Sequence, residues 1–224
     1  MPDKVLLTAI GADALFLATG AIQLGFCLVA QGIRDDDPRT GQEAVRNLLY
    51  QRLPLTAGIA NAAFVLITFA FTLPGLASQG RAWLKVGGYM VTFCALFSLC
   101  VGVFLWVMTL RVKADFSPVY LDMEDSVQSL IQTSFDCCGY FNSSSPAFIT
   151  DSTCPSPAAA KLLRGCATSI SSFSNILLDT IFTTVFGMVG VDAVFILCIA
   201  CLLKVRKERE RFRHIDEKGS YSRF

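Results

Sequence analysis

Nine cysteines, a single histidine and a few carboxylates set among apolar residues are the groups with chemistry to offer in this chain of 224 residues. The densest cluster is "FDCCGYF" at 135–141, where Cys137 and Cys138 are adjacent and Cys154 and Cys166 follow downstream. Neighbouring Cα atoms across a trans peptide are about 3.8 Å apart, below the floor of about 4.4 Å for an ordinary disulfide. Each of the pair therefore needs a distant partner. Two arrangements supply one: Cys138 with Cys154 and Cys137 with Cys166, or the crossed alternative. Spacing alone does not choose between them. Zinc ligation is the competing chemistry, but a Cys-Cys pair lacks the spacer of about two to four residues that structural zinc sites use. The one histidine, His214, sits in a basic C-terminal stretch. No nucleophile with a base, carboxylate pair or phosphate loop can be placed in a shared pocket, so an enzyme is not expected.

The elements that must position these cysteines are unusually apolar. The chain is 53% hydrophobic and 17% charged, against about 25% charged in an ordinary soluble domain. A net charge of +1 gives no reason to expect a nucleic-acid partner. Four runs, Val5–Ile33, Pro54–Ala77, Trp83–Leu110 and Ile176–Leu203, each exceed the ~20 residues that cross a bilayer as a helix. Lys85 is the only Lys or Arg within them. Val5–Ile33 is longer than the apolar core of a signal peptide, about 7–15 residues, and contains Asp13, so it reads as a retained first span. The connecting segments are then 1–4, 34–53, 78–82, 111–175 and 204–224. Lys4, Arg81, Lys85 and the tail's Lys204, Arg206, Lys207, Arg209, Arg211, Arg213, Lys218 and Arg223 are denser than the positive charge of 34–53 and 111–175. The positive-inside rule makes both termini cytoplasmic and puts 34–53 and 111–175 outside.

Cys27, Cys94, Cys100, Cys198 and Cys201 fall within spans, and the other four cysteines fall in the large outer loop, on the oxidising side where disulfides persist. A loop below about 70–80 residues needs such staples to hold a fold. Ser117-Pro118 reads as the start of a helix, with Val119, Met123, Val127, Leu130 and Ile131 at helical spacing after it. Residues 139–157 are turn-rich. Ser156-Pro157 opens a second helix, which Gly165 interrupts, and the chain then runs helically into the last span. Asn142-Ser143-Ser144 is an N-glycosylation sequon on the outer side. The fold class is an all-α membrane protein: a four-transmembrane-helix bundle with a small disulfide-stapled helical extracellular domain.

Four spans, a short first outer loop, a long second one, and Cys137-Cys138-Gly139 followed by Cys154 and Cys166 resemble a tetraspanin over essentially the whole chain. The compact loop and short tails look like fungal tetraspanins, some of which are linked to host penetration by infection cells or to polarised development. The resemblance implies the nested pairing, Cys137 with Cys166 and Cys138 with Cys154. It implies no catalysis, but a plasma-membrane organiser, extending to endosomal or vacuolar membranes, that associates laterally with partner membrane proteins, with other tetraspanins and with membrane lipids. The chain departs from the family pattern in three places. No cysteine precedes Cys27; Pro155 follows the third loop cysteine instead of preceding it; and Asp13 and Asp192 stand where Asn and Glu or Gln are familiar.

Lipid gives helices no hydrophobic drive to associate, so close packing relies on small residues. Gly11, Ala14, Ala18, Ala21 and Gly25 form a heptad seam in the first span, and Gly58, Ala62 and Val65 keep the same rhythm in the second. The expectation is that these two faces pack together. Asp13, Asn61 and Asp192 are the notable polar residues inside the spans, and an acidic group at mid-span costs about 2.5–3.5 kcal/mol on insertion scales. At 1.5 Å per residue, Asp13 lies roughly 12 Å from the cytoplasmic start of its span and Asp192 roughly 17 Å from the cytoplasmic end of its own. The two depths suit one internal cavity. Two carboxylates there cannot both ionise cheaply, and a neutral one can donate to a sterol hydroxyl. By resemblance, a sterol or lipid is the one non-protein ligand implied, with no metal or other cofactor; helix-to-helix hydrogen bonding is the alternative use of these groups. Asp179 lies near the outer boundary and needs no special role.

The tail "CIACLLKVRKERERFRHIDEKGSYSRF" (198–224) joins three signals. Cys198 and Cys201 precede the basic segment, where S-palmitoylation is common. Lys204 through Arg213 read as a stop-transfer anchor with weak attraction for anionic lipid. Tyr221-Ser222-Arg223-Phe224 resembles a tyrosine-based sorting motif. A proton-coupled transporter or channel using Asp13 and Asp192 is the rival function, although no inverted repeat supports it. A claudin-like junction protein is another, but 34–53 has no cysteine. Partner recognition is expected in the irregular segment Phe141–Pro155.

Overall fold

The computed structural model describes residues 2–78, 80–143 and 148–221. Among these residues it is all helical, without a β-strand: α1 (Pro2–Ile33), α2 (Gly41–Arg52), α3 (Leu55–Ala77), α4 (Arg81–Asp122), α5 (Asp125–Phe135), α6 (Pro157–Ala160) and α7 (Cys166–Tyr221). The four long ones, α1, α3, α4 and α7, are long and apolar enough to cross a membrane. The chain is thus a multi-pass membrane protein by the length and composition of its helices.

Two of the long helices overrun the expected boundaries. Ser117 does not begin a helix, because α4 continues through Pro118 to Asp122. Proline removes one backbone donor from a helix interior. Here Val112, Phe116 and Tyr120 recur every fourth residue and are all buried, so packing sustains the helix across that loss. The helix expected from Ser117 is instead α5, which starts at Asp125 and ends through Asp136 in the left-handed conformation. As expected, the chain runs helically into the last apolar run: α7 begins at Cys166, with Ile170, Ser174 and Leu178 forming its buried row. It then runs past Leu203 to Tyr221. The Ser156-Pro157 start holds, with Ser156 Oγ accepting from Ala159 N at 3.3 Å, but the helix is a single turn.

The chain divides into two compact units. One comprises Met1–Phe26, Thr56–Val101 and Val185–Phe224. Its core joins Ala9, Ala12 and Phe16 to Val65, Leu76, Leu84, Val91, Phe195 and Ile199. The rings of Phe16 and Phe195 lie 5.4 Å apart. The expected α1 seam does not pack: Gly11, Ala14, Ala18, Ala21 and Gly25 are exposed, and a Cβ added to Gly11 or Gly25 would meet nothing within 4 Å. The opposite face of α1 does the packing, where a Cβ on Gly20 would come 2.5 Å from Val65 Cγ1. Small residues permit close approach but supply no attraction themselves. The face chosen is the one that also carries Asp13 and Phe16, which have specific partners. Gly58, Ala62 and Val65 on α3 are buried as expected.

The other unit comprises Cys27–Leu55 and Gly102–Thr184. Within it α2 packs on α5. Thr40 caps α2 by accepting from Glu43 N at 3.2 Å, and Glu43 in return accepts from Arg39 N at 2.9 Å. This Thr-x-x-Glu pairing is a sequence signature of a helix start, so α2 was readable in 34–53 although only a short loop was expected there. Ala44, Val45 and Leu49 form its buried side. Gly41 donates its N–H to Ser134 Oγ at 2.9 Å, and a Cβ there would lie 2.5 Å from Leu130 O. Only glycine allows that approach.

Candidate functional site

The four loop cysteines form two disulfides, Cys137–Cys166 with Cα atoms 5.0 Å apart and Cys138–Cys154 with Cα atoms 6.0 Å apart. This is the nested order that the resemblance implied. All four are fully buried. The adjacent pair can diverge because backbone hydrogen bonds anchor the chain on both sides of it. Cys138 N donates to Arg164 O at 3.1 Å, Cys166 N to Gly139 O at 2.9 Å and Ala167 N to Tyr140 O at 2.9 Å. Gly139 adopts a φ of 69°, a turn that favours glycine. Gly165 lies against the backbone of Tyr140 and Phe141, so a Cβ there has no room. Its part is close approach between these two segments, more than interruption of a helix.

A polar hub completes the stapled segment, and the sequence reading missed it. Gln132 is fully buried in α5. Its Nε2 donates to Ile149 O and to Asp151 Oδ2, both at 2.8 Å, and its Oε1 accepts from Ile149 N at 3.2 Å and Gly139 N at 3.4 Å. Asp151 Oδ1 in turn accepts from Thr153 N at 2.8 Å and Cys154 N at 2.6 Å. A carboxylate accepting backbone N–H groups just ahead of it is a recurrent turn device, so Asp151-Ser152-Thr153 was a usable signal. Gln132 had none, since its partners are distant in sequence. Behind the hub, Tyr120 and Tyr140 have ring centroids 5.2 Å apart. Burial, with a lesser contribution from the Asp151 charge, pushes the Tyr120 hydroxyl up to about 12. Burial pushes Tyr140 up to about 12 as well.

On this segment Phe141 is 50% and Leu162 87% exposed. Asn142 and Ser143 are described, with Asn142 exposed, whereas Ser144 of the sequon lies outside the described residues. The expected recognition segment Phe141–Pro155 is therefore described in its flanks, 141–143 and 148–155.

The intramembrane polar residues form a ladder along α3, within the first unit. Asn61, Thr68 and Thr72 recur at intervals of seven and four and are all buried. Asn61 Nδ2 donates to Ser98 Oγ at 2.8 Å and to Gln23 Oε1 at 3.1 Å. Thr68 Oγ1 and Cys94 Sγ are 3.5 Å apart. Thr72 Oγ1 donates to Asp13 Oδ1 at 2.8 Å. Asp192 is 2% exposed and lies within electrostatic reach of Cys94. No hydrogen bond joins Asp13 to Asp192 among the described residues. The paired rings of Phe16 and Phe195, three residues on from each carboxylate, occupy the same two faces. The arrangement makes helix-to-helix hydrogen bonds of Asp13 and Asn61, with Asp192 as the carboxylate whose side chain has no hydrogen bond among the described residues.

Of the tail residues, Cys201 is exposed and Cys198 half-buried, both without a disulfide partner. Tyr221 ends α7, and Ser222–Phe224 of the sorting motif lie outside the described residues. No group of three or more His, Cys, Asp or Glu side chains fit to hold a metal occurs among the described residues. Comparison of the chain with protein-family models, with curated proteins and with solved structures gives no match.

Proposed function

We propose that the protein is a tetraspanin-like membrane organiser, with both termini cytoplasmic and the segments 34–53 and 111–175 outside the cell. The observation that carries this reading is the stapled Cys-Cys-Gly segment between the third and fourth apolar helices, with both disulfides in nested order. The exposed Phe141 and Leu162 beside it offer apolar anchors for a partner membrane protein. In this reading Asn142 carries a glycan, Cys198 and Cys201 are acylated, and the protein gathers partners into lateral assemblies at the plasma membrane without catalysing a reaction. Developmental or infection-cell roles in a fungus follow from the resemblance alone.

Proximity labelling from a tag in segment 148–155, in cells that express the chain natively, tests the proposal. A discrete set of membrane proteins should be labelled, and the set should shrink when Cys137 and Cys166 are both changed to Ser. An unchanged set in that variant would sink the reading.

The burial of Asp13 and Asp192 favours a second use of the bundle, as a sterol site or a proton-coupled path. Photo-crosslinkable sterol and proton flux in liposomes separate these. Loss of sterol labelling in Asp192→Leu supports the first, and flux that Asp192→Asn abolishes supports the second.

A further inference from the structure

We infer that a cleft where α7's basic extension meets α1 and the end of α3 binds the headgroup of an anionic phospholipid. The inference rests on the chain spanning a bilayer and is independent of the organiser reading. The cleft is a cavity of about 580 Å³, and every residue lining it belongs to the unit that contains Met1–Phe26 and Val185–Phe224. Its walls change character with height. Leu6, Leu76, Leu202 and Val205 form the apolar side, and Arg206, Arg209 and Arg213 the basic side. An acyl chain beneath a phosphate has the same sequence of properties.

The charges in the cleft are arranged unequally. Arg206 is committed to the fold: its guanidinium donates to Gly75 O at 2.8 Å, Gly80 O at 2.9 Å and Leu76 O at 3.1 Å. The Gly75 and Leu76 carbonyls belong to the last turn of α3, where carbonyls lack partners within their own helix, and Gly80 lies in the connection to α4. Glu210, the acidic residue of the lining, is already paired with Arg81. Arg209 has no hydrogen bond or ion pair among the described residues, and it is close enough to Arg206 for the two to repel. Ser78 Oγ, also in the lining, is buried and makes no hydrogen bond among the described residues. A phosphate would neutralise the like-charge pair and accept from this hydroxyl.

The same helix carries its own control. Leu202, Arg206, Arg209 and Arg213 recur every three or four residues and share one face of α7, while Lys207 and Arg211 fall on the opposite face. Diffuse attraction between a basic tail and an anionic leaflet would use both faces alike.

The test is native mass spectrometry of the full chain, purified in neutral detergent and offered phosphatidylserine or phosphatidylcholine. The wild type should retain phosphatidylserine selectively. Changing Arg209 and Arg213 together to Gln should cut that retention about tenfold, while changing Lys207 and Arg211 to Gln should leave it within about twofold. Equal losses from both pairs, or no loss from the cleft pair, would overturn the site. Glycerophosphoserine, the headgroup without acyl chains, should displace the lipid poorly. Full displacement at equal concentration would overturn the lipid in favour of a soluble anion.

Discussion

The unit built on α2 and α5 and the unit built on α3's polar ladder are both small and helical, yet they are held by different means. The first is fixed by two disulfides, by backbone hydrogen bonds across residues 138–167 and by a glutamine with both ends of its amide engaged. The second relies on side-chain pairs between helices: Asp13 with Thr72 and Phe16 with Phe195 close together, and Asn61 with Ser98 about three turns away along α3. The difference follows from solvent. In a bilayer every backbone group is satisfied within its helix, so side chains are left to define the pairing. An irregular segment has no such ladder and needs covalent and polar constraints.

This contrast can be broken at its strongest point first. Changing Cys138 and Cys154 together to Ser should destabilise the stapled segment by about 2–4 kcal/mol. Limited proteolysis should then cut at residues 139–157 while the α1–α3 packing survives. If bundle and segment melt together, the two are not independently held. Next in size, Gly20→Leu drives a large side chain into Val65 and should cost about 1–3 kcal/mol in thermal unfolding. Gln132→Ala strips donors and acceptors from Ile149, Asp151 and Gly139, with an expected cost of about 1–3 kcal/mol, and hydrogen exchange should rise at Ile149 N and Cys154 N.

Smaller is the alkaline response. Tyr120 and Tyr140 are raised to about 12 in the folded protein, against about 10 in an unfolded chain. A raised phenol stabilises the fold in full below pH 10, and that contribution is lost as pH rises from 10 through 12. Absorbance titration should show two late-ionising tyrosines, with loosening of the stapled segment in the same range. Smallest of all, Gly11→Leu and Gly25→Leu should change stability by under about 0.5 kcal/mol, since both positions face away from the bundle. Disrupted export of these variants would restore the seam that the sequence suggested.

The number and rough placement of the membrane-crossing helices were legible because twenty apolar residues in a row have few other uses. The disulfide order was legible through resemblance, not through spacing. What failed were choices between equally good local patterns. α1 carries small residues on two opposite faces, and only the positions of Val65, Thr72 and Phe195 decide which is used. Pro118 is as acceptable at a helix start as within a helix whose buried row is strong enough, and local rules favour the former. Gln132 acquires its role from residues about 17 positions away, beyond the reach of any periodicity.

The nesting of the two disulfides has a topological consequence. The ring closed by Cys138–Cys154 lies wholly inside the ring closed by Cys137–Cys166. A protease that cuts once anywhere from 139 to 165 therefore separates nothing, because at least the outer bond still joins the two halves. Even two cuts, one on each side of Cys154, leave the piece between them tethered through Cys138. A clipped molecule stays in one piece and keeps its attachment to the membrane, and it falls into fragments only when its sulfurs are reduced.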